Sequence, residues 1–425
     1  MVGGGPAGLM AGIRAGQLNQ DVTLIEKNPV LGKKLLLSGK GRCNLTNLCG
    51  LDSFLERFSG NGQFLRDAFK KFFNQDLMNF FEERGLKLKV ERQKRVFPET
   101  GRSSSILEAL KKELEKNKVK IIYGAKLQDV LLKDGAAKGL LLSDGRVLSA
   151  DKIILATGGV SYGQTGSTGE GIGIARKLGH SVVSLRPGLV PLETRGDYPK
   201  KLEGLTLKNI RINFTPAPIA IQGHNTQLVR GLTDGKRRII SEIGELLFTA
   251  FGISGPLVLT LSSKVSDWIN EGRQVYAQVD LKPALSKEQL SARLRNEFRL
   301  NPKKSLRNSL KTLLPLRLIG LFIEIAKIGP HKKVSQLSKL ERESLVSLLK
   351  ALRLGAVKCA PIEVAMVTRG GVSLKDINPR TMESRRIKGL YFCGEMIDID
   401  ADTGGFNLQA AFSTGYLAGE SAALD

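Results

Sequence analysis

Carboxylates are in short supply in this 425-residue chain: 41 Asp and Glu stand against 65 Lys and Arg, a formal net charge of +24. Such a surface can attract nucleic acid or anionic small molecules, although lysines solvated on exposed helices give the same count and are the preferred reading. Cysteine is scarce too. Cys43, Cys49, Cys359 and Cys393 form no C-x-x-C pair, which argues against a disulfide framework and a redox dithiol of the usual spacing and leaves small buried thiols as the expectation. The three histidines, His180, His224 and His331, are too scattered for a metal cluster. No apolar run reaches the ~18 residues of a membrane span, and no charged segment precedes a cleavable apolar one, so a cytoplasmic protein without a membrane partner is expected. With 41% hydrophobic and 25% charged residues the composition is globular, and the length suggests about two or three domains.

Glycine is what the chain opens on. In "MVGGGPAGLM", Gly3, Gly5 and Gly8 fit G-x-G-x-x-G, the turn that receives a dinucleotide pyrophosphate on backbone N–H groups and a helix N-terminus. Residues 9–18 read as a short helix, and "DVTLIEK" (21–27) as a strand ending in an acid. Glu26 lies where the ribose-binding carboxylate of a dinucleotide fold belongs, with Lys27 beside it. Only Met1 and Val2 precede Gly3, although such a turn is normally fed by a central strand of about 5–6 residues. The expectation is that the native protein carries further apolar residues ahead of Met1.

Beyond a glycine- and cation-rich loop (28–47), helices are expected over 62–84 and 103–117, the latter with "SSS" able to cap its start. "VKIIYG" (119–124) is a short buried strand. Three more strands are separated by turns in which Asp134-Gly135 and Asp144-Gly145 supply positive φ, before "DKIILATGG" (151–159) returns to a parallel strand. The stretch 189–280 is β-rich, while 284–352 is leucine-rich at helical spacing and interrupted by prolines. Residues 355–371 are extended, 389–395 form a buried strand and 407–423 a closing helix. The domain reading is therefore a nucleotide fold split between 1–188 and 381–425. Between these lie a β-rich domain (189–280), a basic helical insert (281–354) and an extended return segment (355–380). The insert carries 17 Lys and Arg against 5 Glu, half the net charge of the chain.

Two further motifs bear on a cofactor. "ILATGG" puts small residues, Ala156, Thr157 and Gly158, at a strand end, where the chain can pass close to a ligand. "YFCGEMIDIDADTGGFNLQAAF" ends a strand at Gly394-Glu395 and opens a helix near Asn407, whose free N–H groups suit an electron-rich edge. Together with "LLLSGKGRCNLTN", "GLVPLET", "GELLFTAFGISGPLVLTLS" and "VTRGGVSLKDINPRTMES", these segments resemble bacterial flavoproteins of the aminoacetone-oxidase type, a family with a bile-acid steroid-reductase branch. The resemblance runs from the first glycines to the last helix.

It implies an α/β protein with a split, Rossmann-like FAD-binding domain of the glutathione-reductase type, an inserted β-barrel-like domain and a helical lid. Carried over residue by residue, Gly3, Gly5, Ala7 and Gly8 would face the pyrophosphate, Glu26 the adenosine ribose, and the Leu127 backbone the adenine. Lys34, Ser38, Gly41, Arg42 and Asn44 would lie along the flavin, with Lys34 and Arg42 supporting the charge of its reduced form. Gly394, Glu395, Asn407 and Leu408 would meet the ribityl and pyrimidine end. The glycines after "ATGG" complete no second G-x-G-x-x-G. An FAD-dependent oxidoreductase is therefore expected, passing hydride between flavin N5 and a small amine or an unsaturated carbonyl compound, with NAD(P)H or oxygen as electron partner. The alternative is a flavoprotein acting on or binding RNA through the basic insert. No catalytic acid or base is assigned, and substrate and oligomeric state stay open.

Overall fold

The computed structural model describes residues 1–195, 198–217 and 238–425; His224 lies outside the described residues. The chain divides into two compact units, 1–188 with 362–425, and 189–361.

In the first unit, Met1 to Gly3 run between the strands Thr23–Glu26 and Ile153–Leu155. Ile25 N donates to Met1 O, Gly3 N to Ile25 O, Val2 N to Ile154 O and Ala156 N to Val2 O. Lys120–Tyr123 pairs outside the first strand and Leu390–Phe392 outside the second, all in parallel. Met1 to Gly3 thus stand in the place of the central strand and bond to the strands on both sides. The first helix, Pro6–Gln17, begins three residues earlier than its apolar pattern suggests because Pro6 is tolerated at the first helical position, where no N–H is needed.

The closing helix, Phe406–Leu424, lies against the first. A Cβ on Gly415 would sit 2.2 Å from Ala7 O and one on Gly419 2.4 Å from Ala11 O, so two glycines one helical turn apart permit backbone-to-backbone contact. That contact joins the two ends of the chain around one core, in which Leu155, Ile172, Tyr391, Phe392 and Leu417 are buried.

Local expectations are modified where side chains compete with the helix. The stretch 62–84 breaks at Phe72 (φ −154°) into Arg66–Lys71 and Asn74–Glu82, and the second piece restarts where the Asp76 carboxylate accepts from Phe73 N. Ser103 does not cap its helix, because it is already the first helical residue and the N-cap position falls on Arg102; its hydroxyl donates to Leu36 O. Asp134, Gly135 and Gly145 take positive φ in the hairpin turns, but Asp144 does not. Part of the 28–47 loop is helical, Lys33–Leu37. Burial pushes the Cys43 and Cys393 thiols up to about 12, and all four cysteines are free.

His180 is buried and structural. Ser384 Oγ accepts from Arg386 N and Ile387 N, so its hydroxyl proton points to His180 Nε2 at 2.7 Å, and the ring's Nδ1–H is left to donate to Ala175 O. This network suits only neutral imidazole. Desolvation lowers the His180 pKa below its usual 6.5, against the opposing pull of the Ala175 carbonyl and of Asp376. The folded state therefore resists a proton that the unfolded chain accepts. The stability it contributes is complete above about pH 6.5 and is lost as pH falls through the lowered folded value. We expect the melting temperature to fall between pH 7.5 and 5.5, and His180→Asn to show a smaller fall from a lower start; equal pH responses in the two proteins would refute this.

In the second unit the strands Thr206–Pro216, Gly244–Phe248, Gly252–Ser254, Leu192–Thr194, Leu352–Cys359 and Val275–Asp280 pair antiparallel in that order, and the last returns to the first. This is a closed barrel. Ile239–Ile240 adds a short outer pairing. The helices Lys287–Leu300, Leu316–Ala326 and Lys339–Lys350 bury Leu294, Phe322 and Leu349 in the same core as the barrel's Ile212, Phe214 and Val279. The extended return segment is shared: Leu352–Cys359 belongs to the barrel, whereas Val367–Val372 pairs with Val182–Gly188 in the first unit. Among the described residues, no helix is long and apolar enough to cross a membrane.

Candidate functional site

The glycines of the opening turn have different tasks. Gly3 takes φ +103° with Ala156 O 2.6 Å from where its Cβ would be, and a Cβ on Gly8 would stand 2.0 Å from Gly3 O. These two are demanded by the protein's own packing. A Cβ on Gly5 would meet nothing within 4 Å. Gly5 is the N-cap of the first helix and offers no side chain to it; the first intrahelical bond is Leu9 N to Gly5 O, so the N–H groups of Ala7 and Gly8 have no partner within the helix. The space beside Gly5, facing these donors, is a cradle that an anion such as a pyrophosphate fits.

Glu26 is buried and its carboxylate is already engaged. Oε2 accepts from Gly4 N at 2.7 Å, and Oε1 accepts from Asn28 N at 2.8 Å and Asn28 Nδ2 at 2.7 Å. It fixes the rim of the turn while keeping acceptor capacity for a ribose hydroxyl. Lys27 points to the neighbouring loop, donating to Thr168 Oγ1 and pairing with Glu170 at 3.1 Å. Leu127 begins a strand that is tied to this edge by the bond from Ala125 N to Glu26 O. Thr157 and Gly158 follow the Ile153–Leu155 strand, Gly158 at φ +76°.

Lys34 and Glu395 come together across 361 positions, Nζ to Oε2 at 2.5 Å, with Ser161 Oγ 2.7 Å from the same Nζ. Arg42 has other partners: it pairs with Glu91 at 2.5 Å and its guanidinium stacks 4.3 Å from the Phe97 ring centroid. Each of these cations is thus matched by a carboxylate, which the sequence reading did not anticipate. Ser38 bonds back to Leu35 O, and Gly41 sits at φ +82° with open space where a Cβ would be. With its amide turned to satisfy its neighbours, Asn44 accepts from Gly405 N at 3.1 Å and so joins the cation loop to the start of the closing helix.

At that helix start, Asn407 spends its side chain on the preceding loop, accepting from Ala401 N at 2.9 Å and donating to Ala401 O at 2.8 Å. What Asn407 and Leu408 offer outward is therefore backbone N–H. Gly394, at φ +73°, donates to Thr414 Oγ1, and a Cβ there would press 2.8 Å from the Ala7 Cβ. Three residues not foreseen complete the constellation: Asn28, Ser161 and Thr368. Asn28 follows Glu26 by two positions and Thr368 lies within a recognised segment, but the roles of Ser161 and Thr368 are revealed only by partners distant in sequence. Gly5, Glu26 and Glu395 thus lie on one parallel-sheet unit with donors and acceptors suited to a dinucleotide with a pyrophosphate and hydroxyl-bearing chains, and the residues present fit FAD.

A family profile described as "HI0933-like protein Rossmann domain" matches residues 1–421. The 3-dehydro-bile acid delta(4,6)-reductase of Clostridium scindens is 32% identical over 426 residues, covering 100% of this chain and 98% of that one. The ribosomal RNA dihydrouridine synthase of Escherichia coli is 30% identical over 419 residues, covering 98% and 95%. Among solved structures, the 3-ketosteroid delta1-dehydrogenase of Sterolibacterium denitrificans superposes with a TM-score of 0.55 at 11% identity, covering 100% and 98%, a likeness of fold.

Proposed function

Because this chain belongs to the HI0933-like family and is an FAD-dependent oxidoreductase, we propose that it reduces a carbon–carbon double bond conjugated to a carbonyl group. The observation that carries this reading is the pair of near full-length relatives, whose names denote the same bond change on unlike molecules: a dienone of a 3-dehydro bile acid and a uracil ring. Of the two substrate classes expected from sequence, the unsaturated carbonyl is favoured over the amine. FAD, when bound, supplies the hydride for such a reduction. The chain's own residues hold and orient: the turn at Gly5 takes the pyrophosphate, Glu26 a ribose hydroxyl, and Glu395 a hydroxyl of the ribityl chain. NAD(P)H is the proposed electron donor.

The test is anaerobic. Protein reduced by NADPH or NADH is mixed with a 4-en-3-one steroid, with uridine-containing RNA or with aerated buffer, and the return of the oxidised flavin band is timed. Faster return with either unsaturated substrate than with oxygen supports the proposal. Reduction of the flavin by an amine, with return only through oxygen, would overturn it.

A second reading makes RNA the carrier of the double bond. Lys287, Arg293, Arg295, Lys303, Arg307 and Lys311 are exposed on the helical segment and have no ion pair among the described residues. A polyanion would find unmatched charge there. RNA binding that weakens steeply with salt is expected on this reading, and salt-independent binding would count against it.

A further inference from the structure

We propose that Ser161 and Thr368 are positioning residues that present Glu395 as a hydroxyl acceptor to the ribityl chain of the cofactor. The inference rests on the reading of Glu395 as the ribityl contact. Both side chains are fully buried, on segments 207 positions apart. Thr368 Oγ1 accepts from Val160 N at 2.8 Å and from Ser161 N at 3.1 Å. With two N–H groups pointing at it, that oxygen is left to donate its own proton, and Ser161 Oγ lies 3.3 Å away. Ser161 Oγ also receives Lys34 Nζ at 2.7 Å, so its proton goes on to Glu395 Oε1 at 2.9 Å. Thr368 N adds a second bond to Oε1 at 2.8 Å, and Lys34 holds Oε2.

The polarity of the chain is thereby set from end to end: Thr368 to Ser161 to Glu395. Every proton in it points toward the carboxylate, which ends the relay with acceptor capacity to spare and nothing to donate. A group that completes the shell of Glu395 must be a donor. A sugar-alcohol hydroxyl qualifies and a phosphate oxygen does not. Space is reserved for the arrangement as well, since a Cβ on Gly159 would fall 2.2 Å from Thr368 Oγ1. The Lys34 charge is absorbed into this cluster, so its role is to hold Glu395.

The test uses the full-length chain, stripped of FAD and titrated back, with ADP as a probe of the adenosine half alone. Thr368→Val and Ser161→Ala should each raise the Kd for FAD by about tenfold, with the Kd for ADP unchanged, and Thr368→Ser should return the FAD value toward wild type. If ADP binding weakens in the same proportion, the variants have damaged the fold and the positioning role fails. Glu395→Gln separates the two levels. Should it weaken FAD while Thr368→Val does not, the relay is wrong and the ribityl contact stands. Should it leave FAD binding unchanged, the ribityl contact and the relay fall together.

Discussion

Gly5→Ala should yield a folded protein that has lost its cofactor. At φ −84° and ψ 179°, Gly5 has a backbone that alanine adopts readily, and the added Cβ meets no atom within 4 Å, so the apoprotein should melt near the wild-type temperature. The methyl occupies the cradle in front of the Ala7 and Gly8 N–H groups. Losing charge-assisted bonds to the pyrophosphate should weaken FAD binding by roughly 10- to 100-fold. Gly8→Ala, three residues away, is the control with the opposite logic. Its Cβ would stand 2.0 Å from Gly3 O, a backbone atom that cannot swing aside, and the first helix would have to leave the sheet. Overpacking of this kind costs about 1–3 kcal/mol, so this variant should lose stability and FAD together. Melting curves and bound flavin per chain decide both, and a Gly5→Ala protein that purified fully yellow would show that the open space is not where the cofactor runs.

The other large effect is expected at Glu26. Replacing it with alanine leaves the buried Gly4 N without its acceptor and takes one acceptor each from the half-buried Asn28 N and Asn28 Nδ2, the latter keeping Thr165 O, and a buried unsatisfied donor costs on the order of 1–3 kcal/mol. Glu26→Ala should therefore lower the melting temperature of the apoprotein besides weakening FAD binding. Glu26→Gln keeps an oxygen on one side but turns an NH₂ toward a donor on the other, and should fall between the two. An apoprotein of wild-type stability in the alanine variant would show that these bonds contribute nothing net, leaving Glu26 a ligand residue alone.

Much of this was legible without coordinates because it depends on neighbours in the chain. The glycine turn, the acid after the next strand and the meander turns are local patterns, in which backbone conformation and hydrogen bonding involve residues a few positions apart. Even there, short-range competition shifted details. Phe72 breaks a helix that apolar spacing alone would continue, and the helix expected to be capped by a serine starts one residue earlier, on Arg102 as N-cap.

What the sequence by itself determined is the kind of fold and the class of cofactor, since Gly3, Gly5, Gly8, Glu26 and the Gly394–Leu408 segment each carry a conformational or chemical requirement that few residue types meet. Tertiary structure alone decided how those parts work together. It matched Lys34 to Glu395 and Arg42 to Glu91, turned the Asn407 amide inward, separated the glycines the protein needs from the one that leaves space, and brought Ser161 and Thr368 to one carboxylate. The reason is physical: a cation or a hydroxyl in a sequence has no direction. Its partner is chosen by which strands the sheet sets side by side, and here the sheet joins segments from opposite ends of the chain.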